Sequence, residues 1–308
     1  MEDDFDLAVL DTRQAITMAR FRQILASPAA DMVCWVIVEG EMDTIAYSKF
    51  LDGSDVVVMK AGYTAKDNLV HGGKRAVQNI VSATLQENLT TNIIGIIDSD
   101  YREFEQTRTE LPPHILCTDK RDLEMSLWSV TDVREALVNY LSTSPTMPER
   151  RLTKPKLDKT LEICRYMGTI HVSNVWHGIH LQYEFKNSHY WVYRENHFLD
   201  DTAWKANLFN FYCSECSSMD NPVTFTRDMM EATIAQFSLM TRDISEFGRG
   251  HDFLKILSSV MIQTDTYNED KLTIFMINSC TKEIFRSTQL HDKIQTWQSK
   301  LGKQLMAG

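Results

Sequence analysis

Acidic side chains follow two apolar runs in the first third of the chain. Glu39 comes directly after residues 33–38, and Asp98 and Asp100 follow residues 92–97. Runs of this length and β-branched content predict buried strands of a parallel sheet. Ligands of such sheets bind at the carboxyl ends of the strands. Because close carboxylates repel each other without a cation, the pattern predicts a divalent metal site, with Mg²⁺ as the simplest ion.

The Asp98-Ser99-Asp100 sequence is a weak signal by itself. On an extended chain the side chains of residues i and i+2 point to one side, so both carboxylates could reach one metal ion. The more common alternative is that Asp98 caps a turn while Asp100 is solvated. Two other enzyme classes use such pairs. Haloacid-dehalogenase-like phosphatases require Thr or Val at the position where this chain has Arg102. Sugar-nucleotide glycosyltransferases also use an Asp-x-Asp pair, but they lack a Glu-Gly turn on the first strand.

Glu39 is the more informative acid, because Gly40 permits a tight turn directly after the first predicted strand. Glu39 is therefore expected at the carboxyl edge of the sheet, as a metal ligand or a general acid/base. Asp43 is expected to face the same edge from the following helix. Its alternative role is that of a favourable acid in the first helical turn, which is the preferred interpretation of Glu41.

Two further segments could complete such a site. Gly72-Gly73-Lys74 opens a predicted helix, whose backbone N–H groups and lysine could hold a phosphate. A flexible loop with a solvated lysine is the more common meaning of this motif alone. After the fourth predicted strand, Glu124 could be another metal ligand or could cap and pair in its helix. Asp119 is a possible supporting acid in the same segment.

The order of predicted elements is that of an α/β fold. Strands at residues 33–38, 55–59, 93–97 and 114–117 alternate with helices at 42–51, 75–85 and 123–140, after a first helix at 11–25 and with a loop at 61–73. We therefore expect residues 1–145 to form a domain with a mostly parallel sheet flanked by helices. Residues 146–308 are expected to form a mainly helical domain that binds substrate or partner, with helices at 157–166, 227–240, 252–261 and 290–301. Residues 179–199 show no clear pattern.

Composition limits the class of protein. The 308 residues, 43% hydrophobic and 24% charged, suit one large globular domain or two. No apolar run is long enough to span a bilayer, and the acidic N-terminus lacks a secretory layout, so we expect a cytoplasmic protein without membrane attachment.

Local charge and cysteine patterns leave alternatives open. The net charge of -10 argues against a general nucleic-acid coat protein. A basic track within residues 150–159 could bind nucleic acid, although a solvated linker is slightly favoured because two prolines interrupt it. Cys213 and Cys216 are half of a zinc motif at best, and free thiols are the favoured interpretation. The basic residues that we consider as nucleic-acid-binding are Arg150, Arg151, Lys154 and Lys156.

Five motifs together carry a resemblance to a known family. In order they are VEGEMD (residues 38–43), HGGK (71–74), IIDSDY (96–101), TDKRDLE (118–124) and GRGHDFLKIL (248–257). About the first 140 residues resemble a TOPRIM domain, the fold shared by topoisomerases, primases and OLD-type nucleases. The full set more narrowly resembles the bacterial TOPRIM-like family that includes the effector nucleases of PARIS phage-defence systems. Each motif is weak, but their order and placement after strands are fairly specific.

The resemblance implies a nuclease that depends on Mg²⁺ or Mn²⁺. Glu39 matches the invariant glutamate of the family, Asp98 and Asp100 match its metal-binding pair, and Asp43 matches the acid that closes the first motif. Lys74 and Glu124 occupy the positions of the later motifs. The implied assignments are catalytic for Glu39 and Lys74 and metal-binding for Glu39, Asp98, Asp100 and Glu124, with Asp43 and Asp119 as supporting acids.

The family also implies partners. A separate ABC-type ATPase would hold such a toxic effector inactive until phage is sensed, and the released effector would form a homodimer and cleave host tRNA. The chain has no P-loop of its own, which fits an ATPase on another protein. Two alternatives remain. One is an interaction module that docks an ATPase without catalysis, and the other is an OLD-type endonuclease that uses the same acids on DNA.

Overall fold

The computed structural model describes residues 15–27, 30, 32–51, 55–64, 70–107, 110–145, 147–181, 193–194, 197–258 and 267–301. These residues group into two compact units. The first unit consists of the described residues within Met1–Ser99, Glu110–Asp119 and Cys280–Gly308. The second unit consists of the described residues within Asp100–Thr109 and Lys120–Ser279. This division differs from the predicted one at residues 145/146, because the chain leaves the first unit directly after Ser99 and later returns to it twice.

Short strands and helices make up both units. The strands are β1 (Cys34–Val38), β2 (Val56–Lys60), β3 (Tyr63–Thr64), β4 (Val70–His71), β5 (Ile93–Ile97), β6 (Ile115–Cys117), β7 (Tyr193–Arg194) and β8 (His197–Phe198). The helices are α1 (Met18–Leu25), α2 (Glu41–Phe50), α3 (Lys74–Gln86), α4 (Leu123–Ser129), α5 (Thr131–Thr143), α6 (Lys154–Trp176), α7 (Asp201–Ser217), α8 (Arg227–Phe237), α9 (Gly250–Ile256), α10 (Glu269–Ser279), α11 (Lys282–Arg286) and α12 (Gln289–Leu301).

The first unit is built on a four-stranded sheet in the order β2-β1-β5-β6. All three strand pairs are parallel, which confirms the α/β prediction of a parallel sheet flanked by helices. Every residue of β1 and of β5 is buried, as expected for strands covered on both faces. The predicted loop at 61–73 contains the antiparallel pair of β3 and β4. The carboxyl ends of β1 and β5 meet at one edge, because Val38 pairs with Ile96.

Helix α3 covers β5 with an apolar stripe that includes Val77 and Val81. Gly95 makes room for this packing, since a Cβ at that position would lie 2.6 Å from Val77 Cγ1. The predicted first helix begins later than expected, at Met18, after Thr17 as its N-cap. Ile16 is extended instead, and its backbone N donates to Lys60 O at 2.7 Å. The predicted helix residues 11–14 lie outside the described residues.

The second unit is mainly helical, and the antiparallel pair of β7 and β8 belongs to it. Helix α6 runs for 23 residues, well beyond the predicted 157–166, and packs against α7, α8 and α9. The sequence patterns missed α7, because its buried side chains, Trp204, Leu208 and Tyr212, are interleaved with polar and aromatic residues. No helix among the described residues has both the length and the apolar character needed to cross a membrane.

Candidate active site

A tight turn at the end of β1 presents Glu39 at the edge of the sheet. Gly40 is the N-cap of α2, with extended backbone angles. The Asp43 side chain reaches back over this turn, and its Oδ2 accepts a hydrogen bond from Gly40 N at 2.9 Å. Asp43 therefore closes the turn that carries Glu39, which is a supporting role within the first helical turn.

The structure brings the predicted acids of β1 and β5 together. The Oε1 atom of Glu39 accepts a hydrogen bond from the backbone N of Asp98 at 2.7 Å. Both residues directly follow buried strands that pair side by side. The loop after β5 is held from the other side as well, since Ser99 N donates to Thr118 Oγ1 at 2.9 Å. The Glu39 carboxylate is thus fixed at the end of the neighbouring strand rather than extended into solvent.

The N-terminus of α3 lies against the same glutamate. Gly73 N donates to Glu39 O at 3.4 Å, and a Cβ on Gly72 would lie 3.3 Å from Glu39 O. Gly73 has a φ of 85°, a conformation that favours glycine. A Cβ on Gly73 would lie 3.7 Å from Glu39 Oε2. Helix α3 then begins at Lys74, without an acid in its first turn, so its positive end adjoins the Glu39 carboxylate.

Glu39 and Asp98, the acids predicted as metal ligands after β1 and β5, both lie at this edge of the first unit. Carboxylates are hard oxygen donors, and Mg²⁺ is usually bound through one or two of them together with substrate phosphates. The helix N-terminus favours negative charge at the same place. Among the residues that the structure describes, no three Asp, Glu, His or Cys side chains form a group that could hold a metal. The role of Glu39 and Asp98 as metal ligands stays a prediction.

Asp100 belongs to the second unit, and its backbone is left-handed with a φ of 49°. The alternation of an extended chain, on which the predicted Asp98 and Asp100 pair was based, therefore does not apply at this residue. Asp100 N donates to Arg121 O at 2.9 Å, and Asp100 Oδ1 lies 3.7 Å from Arg121 Nη1. Asp100 is thus held from both its backbone and its side chain by one residue of the second unit.

The acids of the TDKRDLE motif belong to different units and pack against different helices. Glu124 is buried in the first turn of α4, and the helix is capped by Asp122, whose Oδ1 accepts from Met125 N at 2.9 Å. Asp119 lies in the first unit, where its Oδ2 accepts from Gln289 N at 2.8 Å at the start of α12. The possible supporting acid Asp119 therefore acts as a helix cap.

The predicted basic track is partly used within the fold. Arg151 Nε donates to Pro145 O at 3.1 Å, and Lys156 Nζ donates to Glu149 O at 2.5 Å. These contacts close the short turn at residues 148–150, whereas Lys154 and Lys156 lie in the first turn of α6 and not in a linker. Arg150 and Lys154 are exposed. The nucleic-acid-binding role of the track stays a prediction.

Cys213 and Cys216 carry free thiols in α7. Burial raises the pKa of both thiols. The Sγ atom of Cys213 lies 3.5 Å from Phe225 O, to which it donates. Free thiols were the interpretation favoured from the sequence.

Sequence reasoning missed a buried polar network in the second unit. His171 Nε2 lies 3.1 Å from Asp252 Oδ2, and the His171 ring stacks on Tyr101 with centroids 5.5 Å apart. The guanidinium of Arg121 also lies over the Tyr101 ring, with its Cζ 3.9 Å from the ring centroid. Three of the motifs contain Tyr101, Arg121 and Asp252, but no local pattern joins these residues to one another or to His171.

Burial decides the charge states in this network. Burial lowers the pKa of His171 despite its bond to Asp252. For Asp252, burial alone would raise the pKa, but the hydrogen bond from His171 and nearby positive charges outweigh it and lower the pKa. The pair is therefore a neutral imidazole beside a carboxylate. His251, next to this pair in sequence, instead bonds Glu269 at 3.2 Å, which together with nearby acids raises its pKa to about 9.

Comparison with known proteins assigns no family to the chain. A scan against models of protein families matches none of them, and a search of curated proteins finds no significant match.

Proposed function

We propose that this protein is a divalent-metal-dependent nuclease with a TOPRIM-like catalytic unit. One observation carries the proposal: the Glu39 carboxylate accepts a hydrogen bond from Asp98 N at the shared edge of β1 and β5. The start of α3 adjoins the same carboxylate. Acidic oxygen donors beside a helix N-terminus suit a metal ion that is bound together with a phosphate.

Each residue of this edge has a part in the proposed chemistry. Glu39 and Asp98 would hold Mg²⁺ or Mn²⁺, which supplies charge neutralisation at the scissile phosphate and a more acidic bound water. The Asp98 amide keeps the Glu39 side chain oriented, and Asp43 keeps the turn that presents it. The N-terminus of α3 and Lys74 would stabilise the negative charge that develops on the phosphate during hydrolysis.

Further ligands and the biological setting are proposed from the sequence pattern. Asp100 and Glu124 would be additional metal ligands, as the family motifs imply. The substrate would be RNA, with host tRNA as the favoured class, and the cell would be protected by a separate ABC-type ATPase that holds the nuclease inactive. On release the chain would act as a homodimer in antiphage defence.

The test is to incubate the purified chain with total tRNA and, separately, with plasmid DNA. Each substrate is tested with Mg²⁺, with Mn²⁺ and with a chelator, and a Glu39→Gln variant purified in parallel reports contaminating nuclease. We expect cleavage of tRNA that needs metal and that the variant lacks.

The other outcomes separate the alternatives. Metal-dependent cleavage of the plasmid alone would identify a DNA endonuclease. If neither substrate is cut and millimolar metal leaves the thermal unfolding temperature unchanged, the nuclease proposal is refuted, since a competent site stabilises the folded state by mass action. An interaction module would then be the better interpretation.

A further inference from the structure

A cleft of about 420 Å³ lies in the first unit, between the β6 segment and α12. Strand β6 is at the edge of the sheet, and α12 packs beside it. Clefts of about 300–1,000 Å³ are typical of small-ligand sites. The side chains that line this cleft include Pro113, His114 and Leu116 from the β6 segment and Thr296, Trp297 and Lys300 from α12.

Two contacts fix the walls of the cleft relative to each other. At the carboxyl end of β6, Lys293 Nζ donates to Cys117 O at 3.3 Å. Just before β6, the His114 ring meets the Trp297 ring edge to face, with centroids 6.2 Å apart. Trp297 is only 6% exposed, so packing holds it in place. The cleft is therefore already formed before any ligand enters, as is usual for small-molecule sites.

One nitrogen of His114 takes part in two contacts that it cannot satisfy together. His114 Nδ1 lies 2.7 Å from Ile93 O, and Trp297 Nε1 lies 3.3 Å from the same nitrogen. Because a carbonyl oxygen can only accept, the shorter contact places the proton on Nδ1. The indole N–H of Trp297 then faces a nitrogen that cannot accept from it, and the described part of the chain offers it no other acceptor. A buried donor in this state is rare and indicates a missing partner.

The same tautomer leaves the second nitrogen of His114 for a ligand. Nε2 has no hydrogen-bond partner among the residues that the structure describes. In the neutral ring it is an acceptor, close to the unused N–H donor of Trp297. An adjacent donor and acceptor match the edge of a nucleobase, which carries acceptors and donors side by side.

The α12 side of the cleft is rich in positive charge. Lys293, Thr296 and Lys300 recur at helical spacing, so two ammonium groups and a hydroxyl lie along one side of the helix. Lys293 is tied to Cys117, whereas Lys300 is exposed. One acid, Asp292, also lines the cleft, with its side chain 82% exposed to solvent. The positive charge therefore favours a ligand that carries an anionic group.

We propose that this cleft binds a nucleoside monophosphate unit, either as a free nucleotide or as one nucleotide of an RNA strand. The phosphate binds Lys300, and the flat base lies against the apolar wall of Pro113 and Leu116. The edge of the base pairs with Trp297 Nε1 and His114 Nε2. The inference uses none of the proposed metal ligands and does not depend on metal-dependent cleavage.

The experiment measures nucleotide binding to the full chain by isothermal titration calorimetry in EDTA, so that the proposed metal site stays empty. AMP, GMP, CMP and UMP are each titrated to millimolar concentration. The nucleotide that binds best is compared with its nucleoside and with ribose 5-phosphate. We expect the nucleotide to bind at least about 10-fold more tightly than either fragment, because the nucleoside lacks the charged contact and the sugar phosphate lacks the base contacts.

Three variants locate the binding. Lys300→Gln should weaken nucleotide binding about 10-fold, since it removes the charge at an exposed position. His114→Asn should have a similar effect, because the asparagine amide can still donate to Ile93 O while Nε2 is lost. The control is Arg286→Gln, which removes an exposed cation of the same unit that does not line the cleft. Thermal unfolding in EDTA verifies that each variant is folded, and Arg286→Gln should bind as the wild type does.

Several results would overturn the proposal. These are no binding of any of the four nucleotides, equal affinity for the nucleotide and its nucleoside, or equal affinity in Lys300→Gln, His114→Asn and Arg286→Gln. A Glu39→Gln variant that loses nucleotide binding in EDTA would also overturn it, since the nucleotide would then occupy the other site.

A labelled RNA pentamer of the preferred base, measured by fluorescence anisotropy in EDTA, separates the two sources of the ligand. Binding of the pentamer at least about 10-fold tighter than that of the mononucleotide, and weakened by Lys300→Gln, identifies an RNA strand as the occupant. Equal or weaker binding of the pentamer identifies a free nucleotide. Neither result bears on cleavage, which is measured separately with metal.

Discussion

The strongest single prediction concerns Gly73, the N-cap of α3. Its backbone has a φ of 85° and a ψ of -177°, a region that is essentially restricted to glycine. A Gly73→Ala substitution should therefore cost about 1–3 kcal/mol of folding stability from backbone strain. Steric collision adds little, because the nearest atom to the new Cβ is Glu39 Oε2 at an ordinary contact distance of 3.7 Å.

We expect this loss of folding stability to lower the unfolding temperature, and we expect the same substitution to lower the cleavage rate. For a protein of this size, each kcal/mol lowers the unfolding temperature by about 2–4 °C, so we expect a decrease of about 2–12 °C. Relaxation of the strain would move the start of α3 relative to the Glu39 carboxylate. A displacement of about 1 Å in a catalytic site is enough to lower the rate about 100-fold, and we expect a loss of this order in metal-dependent tRNA cleavage.

A matched control is available in Gly178→Ala. Gly178 also has a left-handed backbone, with a φ of 66°, and a Cβ there would meet nothing within 4 Å. It belongs to the second unit, whereas the proposed residues Glu39, Lys74 and Asp98 belong to the first. Both variants are assayed for unfolding and for tRNA cleavage at saturating Mn²⁺, well below both transitions. Equal cleavage rates for the two variants would refute the assignment of the α3 N-terminus to the site.

Three further outcomes are expected. Glu39→Gln should keep the hydrogen bond from Asp98 N, so the free energy of unfolding measured in urea should change by about 1 kcal/mol or less. The same variant should cleave tRNA at a rate at least about 100-fold lower. Near-wild-type cleavage would contradict the assignment of Glu39 to the site. Gly95→Ala should cost about 1–3 kcal/mol in urea unfolding, since its Cβ would lie 2.6 Å from Val77 Cγ1. The pKa values of His171 and Asp252 are lowered in the folded state. The folding stability that depends on the neutral imidazole of His171 should therefore be fully present above its ordinary pKa of 6.5 and should decrease as the pH falls below that value. A His171→Asn variant should lose stability less steeply between pH 6.5 and 5, and an unchanged slope in pH-dependent melts would contradict the buried neutral imidazole.

The sheet of the first unit could be predicted from the sequence because its strands are buried on both faces. Such strands are continuous apolar runs, and the runs at 33–38 and 92–97 match β1 and β5 closely. The division into units could not be predicted. It depends on residues 280–301 returning to the first unit, and no local pattern records which unit a helix packs against.

The same contrast between local and distant contacts applies to the candidate site. Glu39 and Asp98 follow strands that are adjacent in the sheet, so their proximity follows from the fold that the patterns predict. The hydrogen bond of Asp122 to Gly250 spans 128 residues of sequence. His171 comes from the middle of α6, where a histidine has no periodic signal of its own, and its role depends on Asp252 in another helix.

The TDKRDLE motif shows why clustered acids do not by themselves define a metal site. Asp119 caps α12 in the first unit, while Asp122 supports α4 and α9 in the second. Two acids only three residues apart therefore serve different units, and the hydrogen bonds that they accept from backbone amides stabilise helix starts. The acid density that suggested metal binding arises in part from these structural demands. A stronger criterion for a metal ligand is that an acid follows a central strand and is oriented by the adjacent strand end, and Glu39 meets it.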